Sequence, residues 1–73
     1  MDLDRPTVIR ARIARAKQQS APPEVVEALR SDYYAARARD YIREWLTSDP
    51  APTAAHRAEV ASLLLDGAAD AAA

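Results

Sequence analysis

A chain of 73 residues carrying a formal charge of −1 is one small domain, and domains this short bury only about 60% of the surface they expose when unfolded. Hydrophobic residues make up 49% of it, but Ala supplies 18 of them and Val, Ile and Leu together 13, so the core is expected to be thin and a partner or second copy to add stability. Without cysteine there is no disulfide framework, and with neither a charged-then-apolar leader nor a long apolar run no signal peptide or membrane span is expected; the default is a soluble cytoplasmic protein.

The first helix is expected over about residues 5 to 19. Asp4 can cap it and Pro6 suits its first turn, while Ile9, Ile13 and Ala16 recur at helical spacing as a narrow apolar seam. Arg5, Arg10, Arg12, Arg15 and Lys17 place half of the chain's positive charge here, with no acid between residues 5 and 19, so the segment carries +5. Charge this lopsided points to nucleic acid or another anionic surface, and these five residues are the candidate nucleic-acid contacts. A solvated amphipathic helix, whose arginine stems cover apolar surface, has the same composition. Two Ile and a Val are too few bulky groups for a helix lying on a membrane.

Ser20-Ala21-Pro22-Pro23 breaks that helix, since a residue before proline is pushed toward extended geometry, and Pro23 opens the second. Glu24 and Glu27 complement its positive dipole end, and a run to Thr47 makes a central rod of about 37 Å. At about 100° per residue two stripes emerge. Val25, Ala28, Leu29, Ala35, Ala36, Ile42 and Leu46 form the side expected to pack on helices one and three. Arg30, Tyr34, Arg37, Tyr41 and Trp45 form the other, with the single Trp and two of three Tyr. That composition suits a partner-binding surface, whether for protein or for stacked bases, and would also serve as a second core layer.

Thr47-Ser48-Asp49-Pro50-Ala51-Pro52 ends helix two, and Thr53 is placed to cap helix three, whose apolar side is Val60, Ala61, Leu63, Leu64 and Leu65. Gly67, the one glycine, stands where a left-handed C-cap is expected, leaving residues 67–73 as a frayed or disordered Ala-rich tail after a single three-helix domain over 1–66.

Nothing in this pattern suggests catalysis or a cofactor. Thiol chemistry is absent, one His cannot form a zinc cluster, and one Gly cannot build a phosphate loop. His56 reads as a surface residue, and Asp40 and Glu44 beside Arg37, Arg39 and Arg43 as ordinary helix-surface pairing. Neither a metal nor a small-molecule substrate is expected.

The order of Arg10-x-Arg12-Ile13-Ala14, Pro23-Glu24-Val25-Val26, Asp40-Tyr41-Ile42 and Ala51-Pro52-Thr53-x-x-x-Arg57-x-x-Val60-Ala61-x-Leu63-Leu64 resembles a group of small proteins of actinobacterial phages, prophage-like elements and their hosts, over residues 8–65. The strong Pro-Pro-Leu-Thr of their last linker appears here as Pro50-Ala51-Pro52-Thr53. The resemblance implies an accessory role on a mobile element, such as control of integration or excision in the manner of a recombination directionality factor. The expectation is therefore a small all-α, three-helix protein with a long central helix, non-enzymatic, meeting DNA through helix one and a recombinase-type protein or its own copy through the aromatic stripe. A helical protein-interaction or homo-oligomerisation module without a nucleic-acid role is the alternative.

Overall fold

The computed structural model describes the backbone of residues 3–72 and the side chains of residues 3–67; Met1, Asp2 and Ala73 lie outside the described residues. Three helices follow one another, α1 over Pro6–Gln18, α2 over Pro23–Leu46 and α3 over Ala54–Ala72, with no strand among the described residues. The protein is all-α, and its 24-residue α2 is the longest element and runs unbroken through Arg30-Ser31-Asp32.

Both prolines expected at helix starts are there, Pro6 opening α1 and Pro23 opening α2. The cap of α1 differs from expectation. Arg5, not Asp4, is the cap residue and makes no side-chain capping bond; its carbonyl accepts from the N–H groups of Val8 at 3.0 Å and Ile9 at 3.1 Å. Asp4 instead pairs with Arg12 at 2.5 Å, one helical turn and more into α1. At the other end, Ser20 takes φ 53°, a left-handed conformation. This lets the Ser20 N–H donate to the Lys17 carbonyl (3.2 Å) and the Ala21 N–H to the Ala16 carbonyl (2.9 Å), satisfying two terminal acceptors and turning the chain sharply.

That turn lays α1 antiparallel against α2. The seam is very thin: among the described residues Ile9 (2% exposed), Ala16 and Ala36 (0% exposed) are buried, and Ile9 is the only large side chain of the three. Half-buried Ile13, Val26, Leu29 and Tyr33 border them. On α2 the inward positions are thus 26, 29, 33 and 36, a three-four-three spacing that is the signature of a close helix pair. The expected seam is rotated away from this one. Leu29 and Ala36 belong to it, but Val25, Ala28, Ala35 and Leu46 are exposed. Arg39 closes the open end of the hairpin, its guanidinium donating to the carbonyls of Leu3 and, at 3.4 Å, Asp4 while Nε donates to Asp40 (3.0 Å).

The C-terminus of α2 is finished by hydroxyls. Thr47 Oγ1 donates to the Arg43 and Glu44 carbonyls at 3.2 Å each, and Ser48 Oγ to the Trp45 carbonyl at 2.6 Å. The Asp49–Pro50 peptide that follows is cis. Thr53 then caps α3 as its sequence position suggests, accepting at Oγ1 from the His56 N–H at 3.1 Å.

The main departure from expectation is α3 itself. Among the described residues it does not pack on α1 or α2, and from Ala54 to Asp66 every side chain except Val60 is exposed. The radius of gyration, 15.5 Å, exceeds the roughly 11 Å of a compact domain of this length. The chain is therefore a helical hairpin carrying a detached third helix, and not a bundle around a central rod. Nor does Gly67 form a left-handed cap: no glycine has positive φ, and α3 extends past it to Ala72.

Two stability predictions follow from this economy. Ser20→Gly relieves a left-handed conformation that costs an L-residue about 1 kcal/mol, so the urea midpoint should rise by an amount corresponding to roughly 0.5–1 kcal/mol. Ile9→Ala removes the one large buried side chain at a cost of about 3 kcal/mol, and circular dichroism should show most of the hairpin's helicity lost at ambient temperature.

Candidate functional site

Because the seam is narrow, the residues that flank it on one side come together across the hairpin. On α1, Arg10, Ile13 and Lys17 fall at i, i+3 and i+7; on α2, Arg30, Tyr33, Tyr34 and Arg37 fall at i, i+3, i+4 and i+7. These seven residues line a single open groove of about 610 Å³ between the helices. Within each helix the two cations stand about 10 Å apart, seven residues at 1.5 Å. Among the described residues no carboxylate lines the groove.

Its floor is ordered by aromatic contacts. Tyr33 and Tyr34 meet edge to face, with ring centroids 5.6 Å apart and planes at 64°, and the Arg37 guanidinium lies 5.9 Å from the Tyr33 centroid. Tyr33 is half-buried against the seam, whereas Tyr34 is 61% exposed and offers its ring to whatever enters. Of the four cations only Arg30 has a carboxylate partner among the described ion pairs, Glu27 at 3.6 Å, and both members are exposed enough that the pair contributes little. Arg10, Lys17 and Arg37 are left to attract an anion.

The candidate nucleic-acid residues of α1 are thus divided. Arg10 and Lys17 enter the groove; Arg12 and Arg15 border a smaller hollow of about 410 Å³ with Thr7, Val8 and Ala11, and Arg12 is engaged by Asp4. Arg5 lines neither, its backbone serving as the cap of α1. The aromatic stripe divides too. Arg30, Tyr34 and Arg37 belong to the basic groove, which continues past Tyr33 and Arg37 into a hollow of about 250 Å³ shared with Pro6, Asp40, Tyr41 and Glu44. Beyond it Tyr41 and half-buried Trp45 line a third hollow with Glu44 and Ser48. One end of the stripe is cationic and the other acidic. With Tyr34 and Tyr41 (76% exposed) outside the seam, the second core layer considered for this stripe is not formed.

Tyr33 is the site residue that neither sequence stripe included. Its signal was the three-four-three spacing of Val26, Leu29, Tyr33 and Ala36, which places it at the rim of the true seam.

The groove's lining offers cationic donors, two phenol rings and one aliphatic side chain, the equipment for neutralising phosphates or carboxylates and for stacking planar groups. Among the described residues there is no group of three or more His, Cys, Asp or Glu able to hold a metal ion, and no helix long and apolar enough to cross a membrane. Comparison with protein-family profiles, with curated proteins and with solved structures finds no match to this chain.

The two adjacent tyrosines should separate cleanly by mutation. Tyr33→Ala removes a half-buried ring and its cation contact and should cost about 2 kcal/mol in chemical denaturation, whereas Tyr34→Ala should change stability by less than about 0.5 kcal/mol.

Proposed function

We propose that this chain is a non-enzymatic, cytoplasmic DNA-binding accessory protein of a phage or mobile element, and that the groove between α1 and α2 is where it grips the phosphate backbone. The observation that carries this reading is the acid-free convergence of Arg10, Lys17, Arg30 and Arg37 from two helices in a chain whose net charge is −1. Random scatter of ten positive and eleven negative side chains would mix the signs. A phosphate about 4 Å from one of these groups gains about 1 kcal/mol in water and about 4 kcal/mol at the effective dielectric of a protein surface, so contacts to several phosphates make useful affinity. Tyr34 adds a face on which a sugar or an unstacked base can rest.

The mobile-element setting rests on the resemblance over residues 8–65, and control of integration or excision is the role it suggests. Such a role needs a protein contact as well as DNA. The Tyr41–Trp45 end of the stripe, aromatic and bordered by Glu44 in place of cations, is the surface suited to a recombinase-type protein.

Titration of duplex DNA followed by Trp45 fluorescence at two salt concentrations tests the reading. Each phosphate neutralised contributes about 0.9 to the slope of log affinity against log salt. The combined Arg10→Ala, Lys17→Ala, Arg37→Ala variant should therefore flatten that slope by about 2 to 3, and Arg12→Ala with Arg15→Ala should leave it nearly unchanged. Equal losses from both variants would remove the groove from the account, and absence of any salt-sensitive binding would remove DNA.

A further inference from the structure

The detached α3 carries a pattern complementary to the groove. Glu59, Leu63 and Asp66 fall at i, i+4 and i+7, one face of the helix, with the two acids about 10 Å apart. The groove reads cation, apolar, cation at the same interval on both of its walls: Arg10, Ile13, Lys17 and Arg30, Tyr33/Tyr34, Arg37. Leu63 is 60% exposed, and none of the described ion pairs involves α3. The charge division holds for the whole chain. Residues 1–46 carry nine Lys and Arg against seven acids, net +2, while residues 47–73 carry one Arg against four acids, net −3.

We propose that the groove is also a self-association site, occupied by α3 of a second copy of this chain, with Leu63 on the Ile13–Tyr34 floor and Glu59 and Asp66 between the two rows of cations. A second copy is the occupant because the chain itself presents an amphipathic acidic helix of matching spacing that its own hairpin leaves uncovered. The connector 47–53 spans up to about 23 Å when extended, enough for two copies to exchange α3 helices reciprocally. Exchange supplies each hairpin with the third helix that its thin seam lacks. DNA and α3 then use the same cations, so self-association masks the groove until nucleic acid displaces it. The proposal itself is independent of DNA binding, since it is read without nucleic acid.

Sedimentation equilibrium and light scattering of the full chain, without nucleic acid, make the test. The wild-type chain should be a dimer whose association weakens with added salt. Leu63→Glu, the pair Glu59→Arg with Asp66→Arg, and the pair Arg10→Glu with Arg37→Glu should each weaken it by about tenfold or more. All four charge reversals in one chain should restore it. These positions are outside the buried seam, and an unchanged helical spectrum of the monomer confirms that folding is retained. A wild-type monomer at several hundred micromolar overturns the proposal. So does a dimer that survives both charge-reversed pairs but dissolves with Leu63→Glu, which would mean α3 pairing with α3.

Discussion

Everything in this molecule depends on how closely two helices can approach over a seam made mostly of alanine. Ala16 and Ala36 are buried between the two helices, and Ile9 supplies the one substantial side chain among the buried residues. Complete burial of a side chain of that size stabilises by about 1.5–3 kcal/mol, little against the entropy of ordering a hairpin of some forty residues. Constraints at the ends fix the geometry of the pair. Ser20 accepts a left-handed backbone so that two N–H groups can close the turn, and Arg39 holds the chain ahead of α1 by its carbonyls.

A thin seam also decides where charge goes. With only one narrow stripe of each helix hidden, the positions beside it on α1 and α2 are brought close enough to form one surface, and four of those positions are cationic. Their mutual repulsion is tolerable: two unit charges about 10 Å apart in water cost about 0.4 kcal/mol. An anion held between them gains from all of them at once. The same geometry that keeps the hairpin marginal therefore gathers its cations on one open surface.

The elements were legible in the sequence because proline and hydroxyl residues mark their ends by local chemistry: Pro6, Pro23 and Thr53 act where the chain order puts them. The faces were harder. Val25, Ala28 and Leu46 are apolar and in helical phase, yet they are exposed, because α2 has only one helix against it and that helix selects the Val26-Leu29-Tyr33-Ala36 line. Periodicity finds apolar stripes; it does not say which of two overlapping stripes a neighbour will cover. The basic residues of α1 were read as one set for the same reason, and only the pairing with α2 separates Arg10 and Lys17, which share a groove with Arg30 and Arg37, from Arg12 and Arg15. Gly67 misled in a different way, since a glycine between Asp66 and Ala68 can continue a helix at a cost of about 1 kcal/mol without forming a cap.

The separation of α3 from the hairpin bears on how such a chain maintains its fold. A helix exposing Leu63, Leu64 and Leu65 to solvent forfeits the burial that most helices rely on, and intrinsic propensity in a 19-residue, Ala-rich segment makes up only part of that loss. The hairpin, for its part, leaves Tyr34 uncovered in a groove lined by cations without acids. Each half lacks what the other displays: the hairpin lacks an acidic apolar helix, and α3 lacks a basic apolar groove. Joining them within one copy or between two gives similar contacts, but a connector that carries α3 away from its own groove shifts the balance toward exchange, and association then rises with concentration. Stability and exposure of the cationic groove are in that case two readings of one equilibrium.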